Sequence, residues 1–301
     1  MSRGKTFYSW TFMVSSANSL LEERRARQRP VIGSSKTYVL GESDAEAERL
    51  RVLDEVYGKT SRALLQRVGL RTGWRCADLG CGPGHIALWL AEQVGATGHV
   101  TGVDRAELFV NLARSSAHQR GFHHAHFTEA DAIAPPLTDA TFDLVYSRCL
   151  LSHLPDPLLV LRRMTALAKP RGAIVVEDID CGGGFAQPES PARMRHLEMY
   201  QAIVRRHGGD PLLGRKLPRL FRAAGLTEIH IEIVTPVEPV AAVKRLYPLT
   251  LARLKPALLK AGLATDAEVD ALIADLHALA DDSSKTVSSC PLVQVSARRP
   301  A

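Results

Sequence analysis

The segment Asp78-Leu79-Gly80-Cys81-Gly82-Pro83-Gly84 has the residue types and spacing best suited to chemistry in this 301-residue chain. It follows a short strand pattern, Trp74 to Leu79, and opens a helical one, Gly84 to Val94. Glycines at such a turn let the backbone approach a ligand closely. A helix start alone would suit a phosphate, but Asp78 puts a carboxylate beside it. Two like charges at 4 Å repel by about 4 kcal/mol at an effective dielectric of 20. The turn is therefore expected to refuse a diphosphate and to favour a ligand bearing an ammonium or a sulfonium. S-adenosylmethionine carries both and no phosphate. Asp104 ends the next strand pattern, where a carboxylate can bridge two ribose hydroxyls; Arg105 can then lie flat on the adenine. Asp131 ends the third strand, within reach of the adenine amino group. Each aspartate alone would also suit a helix N-cap. Three consecutive strands ending in Asp converge on the carboxyl edge of a sheet, where open α/β sheets bind ligands.

Methyl transfer from a sulfonium asks the protein mainly for alignment and exclusion of water, and for a base only when the acceptor must lose a proton. His153 and the group Glu177-Asp178-Ile179-Asp180 follow the fourth and fifth strand patterns, beside the expected cofactor. His153 reads either as a general base or as a residue packing the loop before Pro155. Of Glu177, Asp178 and Asp180, one is expected to face substrate, with the others capping the next segment or pairing with an arginine such as Arg193. His196, Tyr200 and His207 read as surface or packing positions of a lid. His123, His124 and His126 sit at the opposite end of the third strand, a solvated edge, and no metal is expected.

The elements that position these residues alternate. Strand patterns at Val100 to Val103, His126 to Glu129, Phe142 to Ser147 and Ala173 to Glu177 are separated by helical ones at Glu107 to Gln119 and Pro157 to Ala168. Runs such as Ala173-Ile174-Val175-Val176 are continuously apolar, as in strands covered on both faces. This rhythm predicts an α/β fold with a doubly wound, mostly parallel sheet and right-handed crossovers. Upstream, Ser43-Asp44-Ala45-Glu46 reads as a capping box opening one helix, with a second near Ser61 to Val68. Downstream the rhythm breaks into helical lid inserts at about 181–215 and 237–285. Thr265-Asp266-Ala267-Glu268 is a second capping box, and Val269, Leu272, Leu276 and Leu279 line one helix face.

With these motifs in place, residues 38–234 resemble a class I S-adenosylmethionine-dependent methyltransferase of the small-molecule type. The likeness rests on Tyr38-Val39-Leu40-Gly41, the turn at 78–84, Gly102-Val103-Asp104, Ala130-Asp131-Ala132, and Phe142-Asp143-Leu144-Val145 followed by His153-Leu154-Pro155-Asp156-Pro157. The resemblance implies a seven-stranded Rossmann-like sheet whose last strand, Pro291 to Ser296, is antiparallel. It implies a cofactor site of Tyr38, Asp78, Gly80, Cys81, Gly82, Asp104, Arg105, Asp131, Ala132 and Ser147. Gly80 and Gly82 would lie beneath the methionine portion, Asp104 on the ribose, Asp131 and Ala132 at the adenine, and Ser147 near the methionine amino group. Catalytic candidates are His153, Glu177 and Asp178.

Composition sets the outer bounds. The chain is 46% apolar and 23% charged, with no apolar run approaching the roughly 20 residues of a membrane span. Five scattered cysteines fit a reducing, cytoplasmic setting. Of the net +6, residues 1–36 carry +5 (seven basic, two acidic side chains), so the remaining 265 residues are nearly neutral. No chain-wide basic field draws nucleic acid. Residues 1–36 read as a basic, solvated extension or a docking helix rather than a secretory signal, and 37–301 as the catalytic domain. The expected function is methylation of O, N or C of a small-molecule metabolite. The alternatives are a binding protein or non-methylating enzyme on the same fold, or an RNA or protein methyltransferase.

Overall fold

The computed structural model describes residues 39–237 and 242–301, which belong to one compact unit, Tyr38–Ala301. The basic N-terminal stretch and Tyr38 lie outside the described residues. Seven strands form one sheet: β1 (Arg75–Leu79), β2 (His99–Asp104), β3 (Ala125–Glu129), β4 (Phe142–Arg148), β5 (Ala168–Ile179), β6 (Thr227–Val234) and β7 (Leu292–Arg298). Their order is β3-β2-β1-β4-β5-β7-β6. The first five strands run parallel, and β7 lies antiparallel to both β5 and β6. The expected doubly wound sheet, with its antiparallel last strand, is what the chain forms.

Alternate residues of each central strand feed two cores, which is why the strands read as unbroken apolar runs. Ala77, Val145, Ile174 and Val176 face α4 (Pro157–Leu167) and α6 (Leu217–Ala223). Cys76, Leu144, Tyr146, Ala173 and Val175 face α2 (His85–Val94), α3 (Glu107–Gln119) and Leu64 and Leu65 of α1 (Asp44–Arg67). The reversal of strand order beside β1 leaves the crevice at the carboxyl ends of β1 and β4, as the topology rule requires.

A third core joins the other half of α1 to α5 (Pro191–Arg206), α7 (Ala242–Lys260) and α8 (Asp266–Asp281). The α8 face Val269, Leu272, Leu276 and Leu279 is buried as its spacing predicts, and Thr265 and Glu268 complete the capping box. The first helix departs from expectation. Asp44–Arg67 is one helix of 24 residues, not two, and only half of its box forms. Ser43 accepts from the Glu46 N–H at 3.3 Å, while the Glu46 carboxylate turns to Arg49 in a bidentate pair at 2.6 and 2.8 Å.

Candidate functional site

The turn after β1 is bent back onto β2. The Gly80 and Cys81 N–H groups donate to the Val103 carbonyl at 2.8 and 3.1 Å. Gly80 and Gly82 both have left-handed backbones, φ 73° and 52°, which side chains other than glycine's rarely tolerate. A Cβ on Gly80 would stand 3.1 Å from the Leu150 side chain, so the bare backbone there is the floor of a narrow notch. Asp104 closes the notch from the β2 side. Its Oδ2 accepts from the Gly82 N–H at 2.8 Å and its Oδ1 from the Ala106 N–H at 2.9 Å. A carboxylate has about four acceptor positions, so Asp104 is fixed in place and keeps lone pairs for a pair of hydroxyls. Burial raises its pKa.

Asp78 sits below this floor. It is 2% exposed and accepts from the Ala87 N–H in the first turn of α2, so it caps the helix that would otherwise point its positive end at an anion. Burial, with Asp104 and Glu177 nearby, pushes its pKa up to about 7, against the pull of Arg148. Its carboxyl is buried beneath the turn and does not line the surface of the notch.

The other expected cofactor residues divide. Cys81 is buried, its Sγ turned to the Gly82 carbonyl. Arg105 is exposed at the rim, 3.6 Å from Glu42. Asp131 is exposed and caps its own turn through the Ile133 N–H at 2.8 Å, next to buried Ala132. Ser147 is buried, and its hydroxyl donates to the Leu79 carbonyl at 2.8 Å, tying β4 to β1 rather than reaching out toward an amino group.

Two of the three expected catalytic residues are corrected. Glu177 has no exposed surface; its carboxylate accepts from Tyr146 at 2.5 Å, Gln294 at 2.6 Å and Ser61 at 3.1 Å. Asp178 is equally buried and accepts the Ser152 N–H at 3.0 Å and its own neighbour's, Ile179, at 2.9 Å. Nor does Asp180 face a substrate, since Arg215 grips both its oxygens at 2.5 and 2.7 Å. These carboxylates hold strands and loops in place. His153 is half-buried on the loop that Asp178 pins. Burial, with Arg49 and Arg105 nearby, depresses its pKa to about 3, so its imidazole is neutral.

The helical layer encloses a pocket with about 500 Å³ of empty space, part of it open to solvent. Arg49, Leu53 and Tyr57 of α1, Ile179 of β5, Tyr200 of α5 and Tyr247 of α7 mark its walls. His196, expected at a surface or in packing, is 3% exposed and lines the pocket with its Nδ1 unpartnered, and burial drives its pKa to about 3. The tyrosines are anchored at their hydroxyls: Tyr57 donates to the Cys290 carbonyl and Tyr247 to the Ser288 carbonyl, each at 2.7 Å. Sequence reading missed this pocket. Its signal was present as Leu53 and Tyr57 on one face of α1, and as tyrosines and a histidine recurring on the later helices. His207 is no part of it and bonds the Ile203 carbonyl. At the far end of the sheet His124 bonds the Ala91 carbonyl, and no cluster of metal-ligating side chains occurs among the described residues.

With the geometry in hand, the chain can be set against known proteins. The family described as Methyltransferase domain matches residues 70–225. Methyltransferase GfsG of Streptomyces halstedii is 30% identical over 172 residues, covering 53% of this chain and 61% of the relative. A demethylmenaquinone methyltransferase of Halalkalibacterium halodurans is 32% identical over 191 residues, covering 56% and 74%. The chain thus spans about six-tenths of GfsG. Among solved structures, the [4+2]-cyclase SpnF aligns over 81% of each chain with a TM-score of 0.55 and 22% identity, a likeness of fold. The residues present are compatible with S-adenosylmethionine: a bare glycine floor, a fixed carboxylate with lone pairs left for hydroxyls, and a buried aspartate beneath. The chain belongs to the methyltransferase-domain family, within the class I S-adenosylmethionine-dependent methyltransferases.

Proposed function

We propose that this chain transfers a methyl group from S-adenosylmethionine to a small, largely apolar acceptor held in the pocket beneath the helical layer. The observation that carries the reading is the apolar, tyrosine-walled pocket on α1, the helix whose Leu50 stands over Gly82 of the notch. Its lining is apolar and aromatic, as small-molecule sites are, and Arg49, the one charged side chain among its lining residues, is already matched by Glu46. The name of the demethylmenaquinone relative points the same way. SpnF has this fold and is titled a cyclase, so fold alone does not settle the reaction.

When bound, the cofactor supplies an electrophilic methyl on a sulfonium. The protein's share is orientation and dryness. Gly80 and Gly82 give backbone access, Asp104 holds the ribose, and Leu150 covers the floor. Asp78 favours a cationic ligand over an anionic one. His153, neutral between Arg49 and Arg105, is too weak a base near pH 7 to drive proton removal. We assign it an orienting role at the junction of notch and pocket.

The test is methyl-labelled S-adenosylmethionine with a metabolite extract, run on the native chain and on Leu246→Trp, which fills the pocket from α7. The reading predicts S-adenosylhomocysteine and a labelled small molecule from the native chain. Leu246→Trp should retain cofactor binding and lose more than about 90% of turnover, an apolar misfit of at least about 1.4 kcal/mol. Label entering RNA or protein, or binding without turnover, would contradict it.

A further inference from the structure

We propose that Cys181 and Cys290 form an oxidative modification site in the wall of the lid pocket, where a hydroperoxide converts the two thiols into a cross-strand disulfide. The inference goes beyond the methyl-transfer reading, and its readout is mass rather than turnover, so either can fail without the other.

The strand register brings the two residues together. In the antiparallel β5–β7 pair Ile179 stands opposite Leu292, and one step further the Asp180 N–H donates to the Pro291 carbonyl at 2.8 Å. Cys181 and Cys290 are the next residues along the two chains, just past the end of the ladder, where the Cys181 N–H turns to the Pro211 carbonyl at 2.9 Å. A site beside a bonded antiparallel pair has Cα atoms about 4.5 Å apart. That falls within the roughly 4.4–6.8 Å that a disulfide spans. Both are free thiols, packed in the same core and lining the same pocket. Cys149 lies near Cys181, whereas Cys76 and Cys81 belong to the separate core under α2 and α3.

Access and reactivity are also present. Both thiols line the pocket, so a small oxidant reaches them by the route an acceptor would take. The hydrogen bond from Cys181 and the guanidinium of Arg193 hold the Cys290 thiol below its ordinary pKa range, against the effect of burial. Of the two thiols Cys290 ionises the more readily, and as the thiolate it attacks. Its sulfur takes the outer oxygen of the peroxide and the O–O bond breaks. The leaving alkoxide, or hydroxide from hydrogen peroxide, takes up the proton Cys290 gave up. Cys181 sulfur then attacks the sulfenic acid, the S–S bond forms, and hydroxide leaves as water with the Cys181 proton. Two thiols lose two electrons, and one peroxide is reduced by two.

The experiment treats the full chain with hydrogen peroxide and reads intact mass and non-reduced peptides. Expected is a loss of two hydrogens and one linked peptide pair joining Cys181 to Cys290, both reversed by dithiothreitol. Oxygen added at exposed Met194 is scored separately at its own peptide. In Cys181→Ser, Cys290 should stop at a sulfenic acid that dimedone traps. Because the native-chain map stands by itself, a variant that misfolds leaves the test intact. No loss of two hydrogens, or a link formed through Cys149 instead, would overturn the proposal.

Discussion

At the scale of single residues, Asp104 bears the clearest consequence. Both its oxygens are committed to backbone N–H groups of the loops on either side, so the side chain is preorganised for a diol. Replacing it with alanine removes at least one charge-assisted hydrogen bond, about 1.5–3 kcal/mol. The dissociation constant for S-adenosylmethionine should rise at least about tenfold in equilibrium dialysis, and an unchanged constant would remove Asp104 from the site. The place of Asp104 at the end of β2 was legible in the sequence because the strand pattern stops there. Asp78 was legible both as a charge and as a helix cap, but not its depth beneath the turn, which burial alone sets. Glu177 misled for a physical reason. A carboxylate at a strand's carboxyl end usually reaches the crevice, but here its partners Ser61 and Gln294 come from 116 and 117 residues away and draw it into the core.

At the scale of elements, local rules foresaw what local interactions decide. The strand alternation and the Thr265 box appear as read. The unbroken α1 does not follow from propensity, because Gly58 inside a helix costs about 1 kcal/mol relative to alanine. The structure supplies the reason: Asp54 and Arg62 pair at 2.6 Å across the bare backbone, in space a Cβ would need. Asp54 also binds Arg148 at the end of β4, fastening α1 to the sheet. In α5, His196 is neutral, buried and depressed to about 3 from 6.5. The sign is definite. Above pH 6.5 it is neutral whether folded or unfolded and has no effect. As pH falls from 6.5 toward 3 only the unfolded chain takes the proton, so stability is lost by at most about 1.4 kcal/mol per pH unit. Between pH 6.5 and 4.5 the thermal midpoint of His196→Phe should fall less steeply than that of the native chain. Parallel slopes would show His196 is not held neutral.

At the scale of the whole molecule, a doubly wound sheet supplies a glycine-floored notch and a helical layer supplies a pocket. The parallel sheet was legible because strand and helix patterns alternate, and its antiparallel last strand was implied by the family resemblance. The pocket was not, because its lining runs from Arg49 to Cys290 and only tertiary packing assembles it. What unites the two is the claim that the notch selects positive charge. Titrating S-adenosylmethionine into the protein by calorimetry between about pH 8 and about pH 6 tests this directly. Asp78 has a pKa of about 7 without ligand, and a bound cation must lower it. Binding should therefore release protons and weaken as pH falls through 7, and Asp78→Asn should flatten that dependence. Binding that strengthens on acidification, or a notch that prefers a dinucleotide to the sulfonium compound, would contradict the account.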